Sequence, residues 1–320
     1  MTSHPLPRLF ACAFAALALA AQAQDFRNRN LAGADLRGAS HAGANFDGAI
    51  LTGANLVGVD LAKATFRGAD LREAYLREAD ARGADFSGAM LGGADLTRAD
   101  LRKATLDHAD LSRARLPQAR LDGASLRAAH LPGASMVKAQ LVEARLDNAV
   151  LVGADLTQAV LRGATLAGAT LGARSSGQQG PSPATLAGAD LRGADLNGAD
   201  LTSVSLREAQ LEEAKLVGAR LGHADLSWTH ARKADFTNAA MGWSKAYGAD
   251  LRGARLAGAV LTQAQLEGAD LTGASLAGAL LERTNFNQAR LADVDFAQAR
   301  VSHVLANGAS GAPAALREGR

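Results

Sequence analysis

Residues 44–68 read ANFDG-AILTG-ANLVG-VDLAK-ATFRG, five blocks on one beat. The third place of each block holds a large apolar residue: Phe46, Leu51, Leu56, Leu61 and Phe66. Two places before it stands a small one: Ala44, Ala49, Ala54, Val59 and Ala64. Two places after it stands Gly48, Gly53, Gly58, Lys63 or Gly68. Followed outward, the beat runs from Phe26 to Leu171 and again from Leu186 to Val301. His41 is the one polar centre, and Ala81, Ala231 and Ala246 are the small ones.

A period of five fits neither the 3.6 of a helix nor the 2 of a plain strand. Each unit therefore points one large and one small side chain inward and then turns. Glycine after the centre suits a tight turn. Glu, Lys, His and Gln share that slot, which predicts that not every turn needs φ > 0. Asp before the centre, as in Asp35, Asp70, Asp95, Asp155, Asp190, Asp195 and Asp200, can accept neighbouring backbone N–H groups. Phe26, Phe46, Phe66 and Phe86 are spaced by 20, and Phe236 and Phe296 by 60. If like stacks on like, four units make one coil of a square β-helix, with coils about 4.8 Å apart.

Ala34-Asp35-Leu36, Ala54-Asn55-Leu56, Ala94-Asp95-Leu96 and Ala269-Asp270-Leu271 resemble the A-(D/N)-L-x-x pattern of the pentapeptide-repeat family. The resemblance covers about residues 25–304. It implies an all-β fold, a right-handed quadrilateral β-helix of about 13 coils of 20 residues. It implies little about function, because the family is functionally diverse.

The composition agrees with a narrow interior. The chain is 48% apolar but only 4% aromatic, with 34 glycines in 320 residues. A formal net charge of +2 argues against both a strongly basic nucleic-acid binder and a strongly acidic mimic of DNA. The single cysteine, Cys12, lies in an apolar stretch of 13 residues, Leu9 to Ala21, which follows Arg8 and precedes Ala21-Gln22-Ala23. This is the pattern of a secretory signal peptide, residues 1–23, cleaved after Ala23. The expected mature chain has no transmembrane segment and is periplasmic or secreted. The beat runs through residues 24–171 and 186–304, and residues 305–320 are a C-terminal tail. Residues 172–185, GARSSGQQGPSPAT, are either a loop bulging from one corner or a hinge between two solenoids; the length favours the bulge. No capping helix precedes Phe26, so one end is expected to be covered by end-to-end pairing into a homodimer.

Stacking by 20 aligns outward ladders. Asp195, Lys215, Asp235, Arg255, Ser275 and Asp295 alternate in charge at their start. Asp60, Asp80 and Asp100 form a like-charge column that Arg82 and Arg102 can compensate. A calcium site there would need a carbonyl-rich loop that the sequence lacks. Arg67, Arg72, Arg77 and Arg82 would ring one coil, interspersed with acids.

Residues 223–247, HADLSWTHARKADFTNAAMGWSKAY, are the least regular stretch. They carry the candidate protein-interaction residues His223, Trp228, His230, Arg232, Lys233, Trp243, Lys245 and Tyr247. Both tryptophans occupy outward slots, and exposed aromatics beside cations mark interaction surfaces. His223 and Trp243 should stack on one wall. The competing reading is a dent at Ala231 and Ala246 with aromatics folded over it. No catalytic or metal motif appears, no cofactor is expected, and His41 reads as structural. The expected function is a non-enzymatic scaffold that binds a protein, with no nucleic-acid partner. The alternative, known for some relatives, is a DNA-mimicking protector of a type II topoisomerase in the cytoplasm.

Overall fold

The structure, a computed structural model, describes residues 24–173 and 182–317. The expected signal peptide and its Cys12 lie outside the described residues.

The chain winds as a square β-helix of 20 residues per coil. Parallel bridges join each wall residue to the one 20 further on, as in Ile50↔Asp70↔Met90↔Asp110. Each wall is so short that most coils show single bridges. Among the described residues, only β1 (Leu280–Glu282) and β2 (Arg300–Ser302) extend to strands, paired in parallel with Leu281 opposite Val301.

One unit shows why five residues suffice. Leu51 N donates to Asp70 O at 2.7 Å and Gly53 N to Arg72 O at 3.0 Å, both in the next coil. Ala54 N closes the turn on Leu51 O at 2.9 Å, and Asn55 N reaches back to Ala34 O at 2.8 Å. The remaining N–H belongs to the residue after the centre. The acid before the centre often takes it: Arg72 N donates to Asp70 Oδ1 at 3.2 Å, and Thr237 N to Asp235 Oδ1 at 3.0 Å. Asp is frequent there because it completes the backbone's hydrogen bonding.

In several units the same Asp also meets an arginine two places on. Asp70 with Arg72, Asp80 with Arg82, and Asp190 with Arg192 pair at 2.6 Å. Asp25 and Asp35 are lowered to about 2 from 3.8, first by the side-chain hydrogen bonds of Arg27 and Arg37. Their folded-state pKa values lie below the unfolded ones. Their contribution to stability is therefore complete above about pH 4 and lost as pH falls through about 2. In a carboxyl NMR titration of the Arg37→Ala variant, Asp35 is expected to return toward 3.8, with Asp25 unmoved.

The turn slot departs from expectation. Every described slot from Asn28 to Gly168 and from Gly188 to Gly308 has positive φ, whatever residue fills it; Glu73 has φ 58°, Lys103 59°, His108 59° and Gln118 58°. The turn bond and the inter-coil bond of this residue's own N–H fix the conformation, so the fold imposes it on side chains that disfavour it. A left-handed non-glycine residue costs about 1–2 kcal/mol. Ala128, at φ 51°, gives a clean test. Ala128→Gly is expected to raise stability by up to about 1 kcal/mol in urea unfolding, the reverse of the usual sign for Ala→Gly.

The interior is a filled stack of the Ala and Leu slots. Phe26, Phe46, Phe66 and Phe86 form one column with ring centroids 4.7, 4.8 and 4.7 Å apart. At two of the three small centres a larger residue fills the small slot: buried Thr229 precedes Ala231, and buried Ser244 precedes Ala246, whereas Ala79 precedes Ala81. His41 is buried edge-on against Phe26 and Phe46, and its Nδ1–H donates to the Gln24 side-chain oxygen. Its partner is thus a side chain rather than an interior backbone group.

The ladder runs across the 172–185 segment, with Asp155 bridging Thr185 and Thr170 bridging Asp200. Ala184 N closes on Leu171 O at 2.9 Å, as in an ordinary turn. The partner spacing rises from 20 to 30, so ten extra residues leave from one corner. The two ends differ. At the front, Phe26, Leu31 and Leu36 are only half-buried. At the back, the short helix α1 (Ala314–Arg317) lays buried Leu316 over the last coil, near Val304, Ala306 and Ala309. The expected tail thus includes a cap.

Candidate interaction surface

The helix places a corner every five residues, so residues 223–247 wrap once around the rod and slightly beyond. His223 and Trp243 share one corner, Trp228 and Gly248 the next, and Lys233 and Gly253 the one after. The eight candidate residues therefore divide between two adjoining walls. His223, Trp243, Lys245, Tyr247 and Trp228 surround the first. His230, Arg232 and Lys233 surround the second, where His230 bridges Asp250 and Arg232 Nε donates to Asp250 Oδ2 at 2.7 Å.

Both tryptophans stand in left-handed turn slots, at φ 62°, and are 55% and 53% exposed. His223 stacks on Trp243 with centroids 5.9 Å apart and an interplanar angle of 17°. The Trp228 ring lies over Gly248. A Cβ at Gly248 would fall 2.3 Å from Cζ3 and 2.6 and 2.9 Å from its ring neighbours Cε3 and Cη2, which is face-on contact. The indole thus has one face on backbone and the other free. Ala231 and Ala246, the small centres of this stretch, are buried.

One feature escaped the sequence reading. On the wall just before the Trp243 corner, Ala240, Val260 and Leu280 stand in one outward column, with Arg220 and Arg300 at its ends. Val260 is an exposed large apolar residue of this column. The 20-residue spacing carries the signal, since 240, 260 and 280 are uncharged in a chain that is 21% charged.

The charged ladders elsewhere neutralise themselves. Asp195, Lys215, Asp235, Arg255, Ser275 and Asp295 are successive bridge partners. In the Asp60–Asp80–Asp100 column, Arg102 pairs with Asp100 at 2.5 Å, and Arg120 approaches it at 3.7 Å. In the arginine belt, Arg67 pairs with Asp85 at 2.6 Å. Among the described residues, no group of three or more His, Cys, Asp or Glu side chains is placed to hold a metal ion. None of their helices is long and apolar enough to cross a membrane.

Fold and surface together define a filled β-helical rod whose variable positions are its outward slots. The family model "Pentapeptide repeats (8 copies)" matches residues 30–68, 69–106, 82–118, 104–139, 139–172, 184–218, 209–245, 243–276 and 269–305. The chain belongs to the pentapeptide-repeat family, and its fold is the right-handed quadrilateral β-helix. No curated relative matches it.

Among solved structures it is similar to HetL of the cyanobacterium Nostoc, a pentapeptide repeat protein involved in heterocyst differentiation regulation. Identity is 30% over 91% of this chain and 94% of that one, with a TM-score of 0.25. It is also similar to full-length QnrB1, a plasmid-mediated fluoroquinolone resistance protein, at 16% identity over 77% and 90%, TM-score 0.25. A third is a thylakoid-lumen pentapeptide repeat protein of Arabidopsis thaliana, at 27% identity over 42% and 69%, TM-score 0.21.

Proposed function

We propose that this chain is an exported, non-enzymatic scaffold that binds a protein partner through the surface around His223, Trp243 and the Ala240–Val260–Leu280 column. The observation that carries the reading is the pair of tryptophans, each more than half exposed, on a rod whose interior is already full. Rigid aromatic side chains beside a flat apolar column supply contact area at low entropic cost. Export rests on the N-terminal pattern of Arg8, the apolar stretch and Ala21-Gln22-Ala23. The same reading includes end-to-end pairing of two copies over the half-buried Phe26, Leu31 and Leu36, since α1 covers the opposite end. A topoisomerase-protecting DNA mimic is disfavoured by the formal charge of +2 and the many Arg–Asp pairs.

The test is affinity capture of the mature protein from its native compartment, followed by binding measurements on the captured partner. Replacing Trp243 by Ala is expected to weaken that partner about tenfold or more, with a nearly unchanged melting temperature. A large loss of stability with unaltered binding would sink the proposal. So would protection of supercoiling by the mature protein in a topoisomerase assay with a quinolone.

A further inference from the structure

The Trp228 corner has a geometry of its own, distinct from the protein-binding column beside Trp243. Going up this corner ladder, the residues are Glu208, Trp228, Gly248, Gly268, Gln288 and Gly308. The indole fills the place over Gly248, while Gly268 has nothing within 4 Å of where a Cβ would stand and leaves a groove beyond the ring. Tyr247, Glu267 and Gln288 also line it. The floor is rigid: Trp228 N donates to Tyr247 O at 2.8 Å, Gly248 N to Glu267 O at 3.0 Å, and Gly268 N to Asn287 O at 2.9 Å.

We propose that this groove, from the free face of Trp228 past Gly268 to Gln288, binds an uncharged, extended hexose oligosaccharide. An indole fixed face-on against backbone offers its other face as a platform for the C–H face of a pyranose ring, as aromatic faces do for other flat partners. Side chains beyond the platform supply what sugar hydroxyls need: a carboxylate acceptor at Glu267, an amide at Gln288 and the Tyr247 hydroxyl. Coils repeat at about 4.8 Å, close to the length of one hexose ring in an extended glycan, so successive sugars meet successive coils in register.

Other ligand classes fit less well. A peptide strand needs free backbone N–H and C=O groups or apolar side pockets. Here the corner N–H groups are already spent on the next coil, and the groove is lined by polar groups and glycine. An anionic glycan or nucleic acid would meet Glu267 in the groove and Glu208 below the platform, with no cation among the groove's lining residues.

The experiment is calorimetric and tryptophan-fluorescence titration of the mature protein with β-1,4-linked tetrasaccharides of glucose and of N-acetylglucosamine. Polygalacturonate serves as the anionic comparison. Saturable binding of at least one uncharged tetrasaccharide is expected. It should weaken about tenfold or more in Trp228→Ala and several-fold in Glu267→Gln, and stay unchanged in Trp243→Ala. Far-UV circular dichroism checks that Trp228→Ala keeps the fold, since the ring lies outside the core. Absence of binding at millimolar oligosaccharide, equal binding by Trp228→Ala, or preference for polygalacturonate would each overturn the proposal. A protein partner that depends on Trp243 would stand under any of these results.

Discussion

Phe66→Ala is expected to cost about 3–5 kcal/mol of unfolding free energy, the range for emptying a buried aromatic site. The Phe66 ring lies between Phe46, at 4.8 Å and 1°, and Phe86, at 4.7 Å and 4°. Its removal ends two ring stacks and leaves a void that regular coils on either side cannot close. A solenoid's coils contact only their neighbours, so the damage should be local. Chemical denaturation is expected to split, with the front coils melting before the rest. Phe236→Leu is the control. Phe236 stacks between Leu216 and Leu256, so leucine simply extends the column, and the cost should stay below about 1.5 kcal/mol. Equal losses in the two variants would mean that the stacked rings carry no special share of the stability.

The second large effect belongs to Gly172, where the ten-residue insertion leaves the corner. Gly172 has no positive φ, so its requirement is space alone. A Cβ there would fall 2.5 Å from Thr202 N, 2.7 Å from Thr202 O and 2.8 Å from Asp200 Oδ1. Two of the three obstacles are backbone and cannot swing away. Gly172→Val is expected to destabilise by about 2–3 kcal/mol. Deleting residues 174–183, which joins Ala173 to Ala184 as an ordinary two-residue turn, should leave the melting temperature within a few degrees, because the ladder from Thr170 to Asp200 does not depend on the inserted chain. If the deletion unfolds the protein while Gly172→Val is silent, the corner is held by the insertion and not by the ladder.

The coil was legible because its signals are written in side-chain size. The Ala and Leu slots mark what points inward, and the phenylalanines count residues per coil. They also encode the insertion: Phe86 and Phe236 are 150 residues apart, seven and a half coils, and become congruent once ten residues are set aside. The turn conformation was not legible. Its left-handed φ at Glu73, Lys103 or His108 is imposed by bonds to a neighbouring coil, and no local preference of those residues announces it. The candidate surface was legible in part. Trp228 and Trp243 stood out by type, and the spacing of 20 paired His223 with Trp243. The division of the eight residues between two walls follows only when positions are projected around the square. The face-on seat of Trp228 depends on Gly248, which the sequence offers as one more turn glycine. The cap was hidden because Leu316 belongs to no repeat, and only the register of the last coil shows what it covers.

The two ends give the rod a direction of failure. Nearly all inter-coil bonds run along its axis, so tension between the termini loads them a coil at a time, as in a zip. The back is fastened by Leu316, whereas the described front offers half-buried Phe26, Leu31 and Leu36 and a part-buried hydrogen bond from His41 to Gln24. Pulled or digested, the molecule should shed coils from its front. The Trp228 and Trp243 surface, far along the chain, would stay intact until most of the rod had been lost.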